Sequence, residues 1–152
     1  MAQVGKIVPV TTVAASQFRS ALAQNAGENL SLDVNNGGFG IRVDSIIRTL
    51  QIMSKEDLQW ELWFYGKNTY NASADPDVNT RLGWFWFGVN GRQIAATGLY
   101  HYYVDGLYIP YRDLDQTGKI HMTLINRSAA AKTAGDNGAL RVVLGLEMTQ
   151  GW

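Results

Sequence analysis

The two imidazoles of this 152-residue sequence, His101 and His121, are its first candidates for chemistry near neutral pH. Each could act as a general base or a metal ligand, and each lies in a strand-like stretch among apolar or aromatic neighbours. Neither has a serine or aspartate beside it in the context of a nucleophile elbow or a triad, so a partly buried structural imidazole is the favoured reading. The stretch "DPDVNT" sets Asp75, Asp77 and Asn79 at alternate positions, as the first half of a calcium loop does. An EF-hand is excluded, because Thr80 stands where the turn needs glycine and Trp86 where the ion needs a bidentate glutamate. Asp113 and Asp115 of "RDLD" keep an irregular calcium site as an alternative, but Asx turns account for these loops more simply. The glycines of "NNGGFG" do not link a strand to a helix as a phosphate cradle must, so they form a turn. Asn29, Asn71 and Asn126 begin Asn-X-Ser triplets, and since "MAQVGKIVPV" does not resemble a secretory leader they are expected to be chance occurrences. There is no cysteine, hence no disulfide and no thiolate site. With no paired carboxylates and no nucleophile–base arrangement, the expectation is a protein that is not an enzyme and holds no metal or cofactor.

What the sequence concentrates instead is aromatic surface. Fourteen of its 17 aromatic residues fall between Trp60 and Tyr111, too many for one buried face to hold. The stretch "LGWFWFGV" has four in a row, Trp84 to Phe87. In a strand, alternate side chains point to opposite faces, so Trp84 and Trp86 go one way, Phe85 and Phe87 the other. The tryptophans are expected in the core with Trp60 and Phe64, which sends the two phenylalanines outward. In "LQWELWFYG" the same parity sets Trp63 and Tyr65 against Trp60 and Phe64, and it separates Tyr100 and Tyr102 from His101 and Tyr103. Trp63, Tyr65, Phe85, Phe87, Tyr100, Tyr102 and Tyr108 are therefore the candidates for an interface. Rigid amphipathic rings of this kind suit a protein partner or a sugar-stacking platform.

The elements that position them read as mostly strand. Met1 to Val13 is an extended, weakly ordered arm, and "ASQFRSALAQNAG" can form a short helix from Ser16 to Gln24 that stops at Gly27. Residues 1–35 are thereby set apart from a sandwich domain at 36–152. "IRVDSIIRTLQIM" alternates with a phase slip near Ser45-Ile46, which indicates a bulge. Asn90-Gly91 and Asp105-Gly106 are hairpin signals, and "KIHMTLIN" and "ALRVVLGLEM" are further strands. Short alternating strands with glycine turns predict an all-β fold, an antiparallel β-sandwich. Net charge is zero and charged residues are 17% of the chain, below the usual quarter, which favours burial in an assembly. The Lys and Arg residues are scattered, so no nucleic-acid partner is expected, and no stretch is long enough to span a bilayer. Synthesis in the cytoplasm as a soluble chain is expected.

From Asp75 onward, "DPDVNTRLGWF", "GLYHYYVDGLYIPYRDLDQTGKIHMTLINRSAAAKTAG" and "ALRVVLGLEMTQ" together resemble small capsid decoration, or cement, proteins encoded among the head genes of tailed bacteriophages. The resemblance covers about the C-terminal half. It implies a jelly-roll-like sandwich without enzymatic activity, located on the virion. There it would bind the outside of an icosahedral shell as a homo-oligomer, a trimer, and bridge subunits of the major capsid protein. The competing class is a carbohydrate-binding, lectin-like sandwich module, with Trp63, Tyr65 or Tyr108 as stacking platforms and Asp and Asn of the 66–80 loop as hydrogen-bonding groups.

Overall fold

The computed structural model describes residues 7–11, 21–34, 43–55, 57, 59–68, 80–88, 92–96, 98–129, 132–133 and 141–149. Among them every paired strand is antiparallel and there is no helix. One sheet has the order β1 (Ile7–Thr11), β12 (Arg141–Met148), β4 (Ser45–Ser54), β8 (Leu99–Val104), β7 (Arg92–Ile94), with β9 (Ile109–Tyr111) also on β4. A second has the order β3 (Gly27–Asp33), β10 (Lys119–Asn126), β5 (Trp60–Tyr65), β6 (Arg81–Phe87). A short ribbon joins β2 (Ala21–Leu22) to β11 (Lys132–Thr133).

Period-two patterning explains why the two larger sheets face each other. Val142, Leu144, Leu146 and Met148 of β12 alternate inward with Leu50 and Ile52 of β4, and they meet Trp60, Leu62 and Phe64 of β5 and Ile120, Met122 and Leu124 of β10. All of these are buried in one cluster. The sheets touch closely where Gly83 of β6 passes Ile109 of β9, since a Cβ at that glycine would stand 2.6 Å from the isoleucine Cγ2. The ring pair Phe87–Tyr102, with centroids 5.9 Å apart, ties β6 to β8.

The phase slip in β4 is real but falls slightly further along than Ser45-Ile46. Ile47 faces Leu146 and Thr49 faces Gly145, which leaves Arg48 as the extra residue. Burial shifts with it, from Ser45 and Ile47 to Leu50, Ile52 and Ser54. The bulge frees the Arg48 carbonyl, which accepts the Leu107 N–H at 3.0 Å.

Four expectations are corrected. The Asp105-Gly106 pair does not make a hairpin: β8 and β9 both pair with β4, one after the other along the same edge. Gly106, at φ 65°, instead turns an excursion that bridges them. The strands flanking Asn90-Gly91 do not pair with each other either, because β6 belongs to the four-stranded sheet and β7 to the six-stranded one; the turn itself lies outside the described residues. The hairpin that forms is β7–β8, closed by Gly98 at φ 67°. The proposed helix from Ser16 to Gln24 is strand and turn at 21–24, its earlier residues lying outside the described set. Tertiary hydrogen bonds decide this: Asn126 Nδ2 donates to the Leu22 carbonyl at 2.9 Å, and the Asn25 N–H donates to the Asn126 carbonyl at 2.7 Å. A helix of barely three turns has no comparable stability of its own. Finally, the described part of the N-terminal arm is β1, hydrogen-bonded to β12 rather than free. The segment 1–35 thus supplies β1, β2 and β3, which pair with β12, β11 and β10.

Candidate functional site: a tryptophan face on the four-stranded sheet

Register decides which aromatic rings leave the core. Trp60 lies opposite Phe87, Leu62 opposite Phe85 and Phe64 opposite Gly83, so the two phenylalanines share the inward face of β5. The alternate row sets Trp63 opposite Trp84 and Glu61 opposite Trp86 on the outer face. Trp84 and Trp86 are 57% and 53% exposed, whereas Phe87 is buried and Phe85 packs on the core with its ring 4.8 Å from that of Phe87. The sequence expectation for this strand is reversed. The physical reason is register: Trp60 and Leu62 of β5 bring Phe87 and Phe85 to the inner face, and within the strand's own sequence the two parities are symmetric.

The outer face continues onto β10 and β3, where Thr123 lies between Trp63 and Asn29 and donates to the Asn29 carboxamide oxygen at 2.7 Å. Trp63 is half-buried because the Arg81 guanidinium lies over its ring, 4.9 Å from the centroid, and Tyr65 packs beside it at 6.4 Å. Its indole N–H donates to Glu61, which also receives the Arg127 Nε; Arg127 reaches Asn25 Oδ1 at 2.9 Å. Glu61 is buried and held by two donors, so its carboxylate fixes the rotamer of Trp63 beside the exposed pair. The result is a group of three indoles, the fixed Trp63 on β5 lying opposite Trp84 and the two open rings following one another along the edge strand β6.

The remaining interface candidates go elsewhere. Tyr65 is on this face but buried. Tyr102 is in the core and donates its hydroxyl to Asp57, and Tyr100 packs against the same core. Tyr65, Tyr102 and Phe87 are buried in the fold, while Tyr100 and Phe85 are half-buried against the core. Tyr108 is 66% exposed as expected, with Arg48 over its ring at 5.1 Å, but it sits beside the six-stranded sheet, apart from Trp63. Trp84, Trp86 and the 65% exposed Tyr103 are the outward rings that the sequence reading did not select.

The buried histidine is His121, and the structure brings to it the serine and aspartate that its sequence neighbourhood did not show. Ser31 Oγ is 2.7 Å from Nδ1, and Asp115 Oδ2 is 3.1 Å from Nε2. Burial lowers the imidazole pKa, outweighing the Asp115 carboxylate that raises it. Burial pushes Asp115 upward, but its side-chain contact with Asp113, the hydrogen bond it accepts from the Thr117 hydroxyl and the charge of His121 leave it lowered. Asp113 is fully buried, and its carboxylate accepts the backbone N–H groups of Val43, Thr117 and Gly118 at 3.1, 3.2 and 2.8 Å. Its own N–H donates to Asp44 Oδ1 at 3.0 Å. Both oxygens of Asp113 are therefore engaged by the backbone, as an Asx turn requires. The whole cluster clamps the 112–118 loop onto β3, β4 and β10. Asp75, Asp77 and Asn79 lie outside the described residues. His101 is half-buried on the outer side of β8.

No protein-family model matches the chain, and no curated protein matches it. Among solved structures it is similar to the coat protein of tobacco streak virus, at 13% identity over 97% of this chain and 91% of that one, with a TM-score of 0.36. A coat protein dimer of the same virus gives 14% identity over 100% and 92% of the two chains, again at 0.36. A likeness at that level carries no argument, and the functional reading rests on the residues above.

Proposed function

We propose that this chain is a non-enzymatic structural protein of a virus particle, a jelly-roll-like β-sandwich. It binds the outer surface of an icosahedral phage capsid and stabilises it by bridging subunits of the major capsid protein. The observation that carries the reading is the pair of open indoles, Trp84 and Trp86, beside the fixed Trp63 on the outer face of the four-stranded sheet. Exposed large rings on one contiguous face are the mark of a surface that another chain covers. The motif set from Asp75 onward, similar to phage decoration proteins, names the kind of assembly. Closed rotational symmetry covers such a face without filament growth, and the resemblance to decoration proteins makes that assembly a homotrimer joined through the tryptophan faces.

Sedimentation at micromolar concentration is the test. Its expected result is a mass near three chains that falls toward one chain in Trp84→Ala/Trp86→Ala, together with binding of the wild type to shells stripped of this protein. A wild-type mass of one chain refutes the trimer, and failure to bind shells refutes the capsid role. A second reading, a lectin-like module, is favoured by Glu61, Arg81 and Arg127 around the indoles, since sugar sites pair stacking rings with fixed polar groups. Specific binding on a glycan array that is lost in Trp86→Ala would establish it instead.

A further inference from the structure

The outer face of the six-stranded sheet has a different chemistry from the tryptophan face. Register sets Arg141 of β12 beside Met53 of β4, Met53 beside His101 of β8, and His101 beside Arg92 of β7. One row across four strands thus carries two guanidinium groups and an imidazole around a methionine. The adjoining row is Val143, Gln51 and Tyr103, with Tyr103 65% exposed. Arg92 and Arg141 are both exposed, and among the described residues neither has a carboxylate in ion-pair contact. Glu147, the acid on this face of β12, is already bound by Arg48. In a chain of zero net charge, the described residues of this face carry a local excess of positive charge.

We propose that the Arg92–His101–Arg141 row, with Tyr103, is the docking surface for a carboxylate-bearing strip of a protein partner. The proposal rests on the capsid-binding reading and assigns this sheet to the shell, leaving the tryptophan face to self-association. Guanidinium groups recognise carboxylates through paired N–H donors, and tyrosine supplies rigid contact area beside them. Spacing adds a constraint. Arg141 and Arg92 are three inter-strand intervals apart, about 14 Å at about 4.8 Å each. Acidic residues four positions apart on an extended strand are separated by about 13 Å and lie on one face, so a partner strand crossing the sheet places one acid on each arginine. Phosphate tracking by nucleic-acid binders needs many more cations than this row holds.

The probes are fluorescein-labelled decaglutamate, duplex DNA of equal charge, and shells stripped of this protein, each titrated at low salt. Wild-type chain is expected to bind decaglutamate in a salt-sensitive way. Arg92→Glu/Arg141→Glu should weaken that binding and shell binding about tenfold or more, with unchanged sedimentation mass and far-UV circular dichroism. Arg92→Lys/Arg141→Lys should retain most of the decaglutamate affinity. Unchanged decaglutamate binding after charge reversal, or tighter binding to DNA than to decaglutamate, overturns the proposal. Wild-type chain that binds decaglutamate through these arginines but ignores shells counts against the capsid reading alone. Shell binding that survives charge reversal overturns the surface alone.

Discussion

Replacing Phe87 and Trp84 by alanine in separate variants separates the buried face of one strand from its exposed, proposed interface face. Phe87 is 5% exposed, with ring contacts to Phe85 at 4.8 Å and Tyr102 at 5.9 Å. An aromatic side chain withdraws about 150–250 Å² from water, worth about 4–6 kcal/mol at about 25 cal/mol per Å² as an upper bound. Truncation also leaves a cavity between the sheets, and large-to-small changes of this kind cost about 3–5 kcal/mol, the value expected for Phe87→Ala. Trp84 has 57% of its surface in water, so the same arithmetic applies only to the smaller part that the folded chain buries. Trp84→Ala should therefore cost about 1–2 kcal/mol of folding stability, less than Phe87→Ala. Urea unfolding followed by far-UV circular dichroism reads both, at several protein concentrations, because oligomerisation adds concentration-dependent stability. The expected pattern is a large, concentration-independent loss for Phe87→Ala and a small intrinsic loss for Trp84→Ala that grows as concentration rises. A loss for Trp84→Ala at the lowest concentration as large as that for Phe87→Ala would refute the assignment of faces.

Three further outcomes follow from the geometry. His121 is lowered by burial, so below about pH 6.5 the unfolded chain binds a proton that the folded one does not, and stability should fall as pH drops through that window. Asp115, also lowered, extends the loss below its ordinary value of 3.8; thermal melts of His121→Gln should lose the upper of these two pH dependences and keep the lower. Gly66→Ala places a Cβ 2.7 Å from the Arg112 carbonyl and from Leu114, so calorimetry should show about 1–3 kcal/mol of lost stability; Leu114→Ala added to it should recover only part, since the carbonyl stays. Glu61→Ala removes the acceptor for Trp63 and Arg127, with an expected loss of about 1–3 kcal/mol and a change in Trp63 mobility seen in indole N–H NMR; an unchanged spectrum would refute its positioning role.

How much of this was legible without coordinates depends on whether a pattern had one physical solution. The alternation of Leu140 to Met148 has one apolar face, so parity alone identified a strand and its core side, and short alternating runs of this kind gave the all-β class. Within "GWFWF" both parities are apolar, and a one-residue shift exchanges them at no cost visible locally. The choice was made across the sheet, where Trp60 and Leu62 of β5 fix Phe87 and Phe85 inward and leave Trp84 and Trp86 to solvent. The same holds for Asp105-Gly106, read as a hairpin: the chain does turn at Gly106, φ 65°, but the pairing of its strands is set by β4, whose one edge takes β8 and β9 in succession. The Ser31–His121–Asp115 contact joins residues 90 and 6 positions apart, so sequence proximity shows only half of it. Composition and periodicity determined what must be buried; pairing between distant strands decided which of two equally apolar faces stayed exposed, because only there do the competing registers differ in energy.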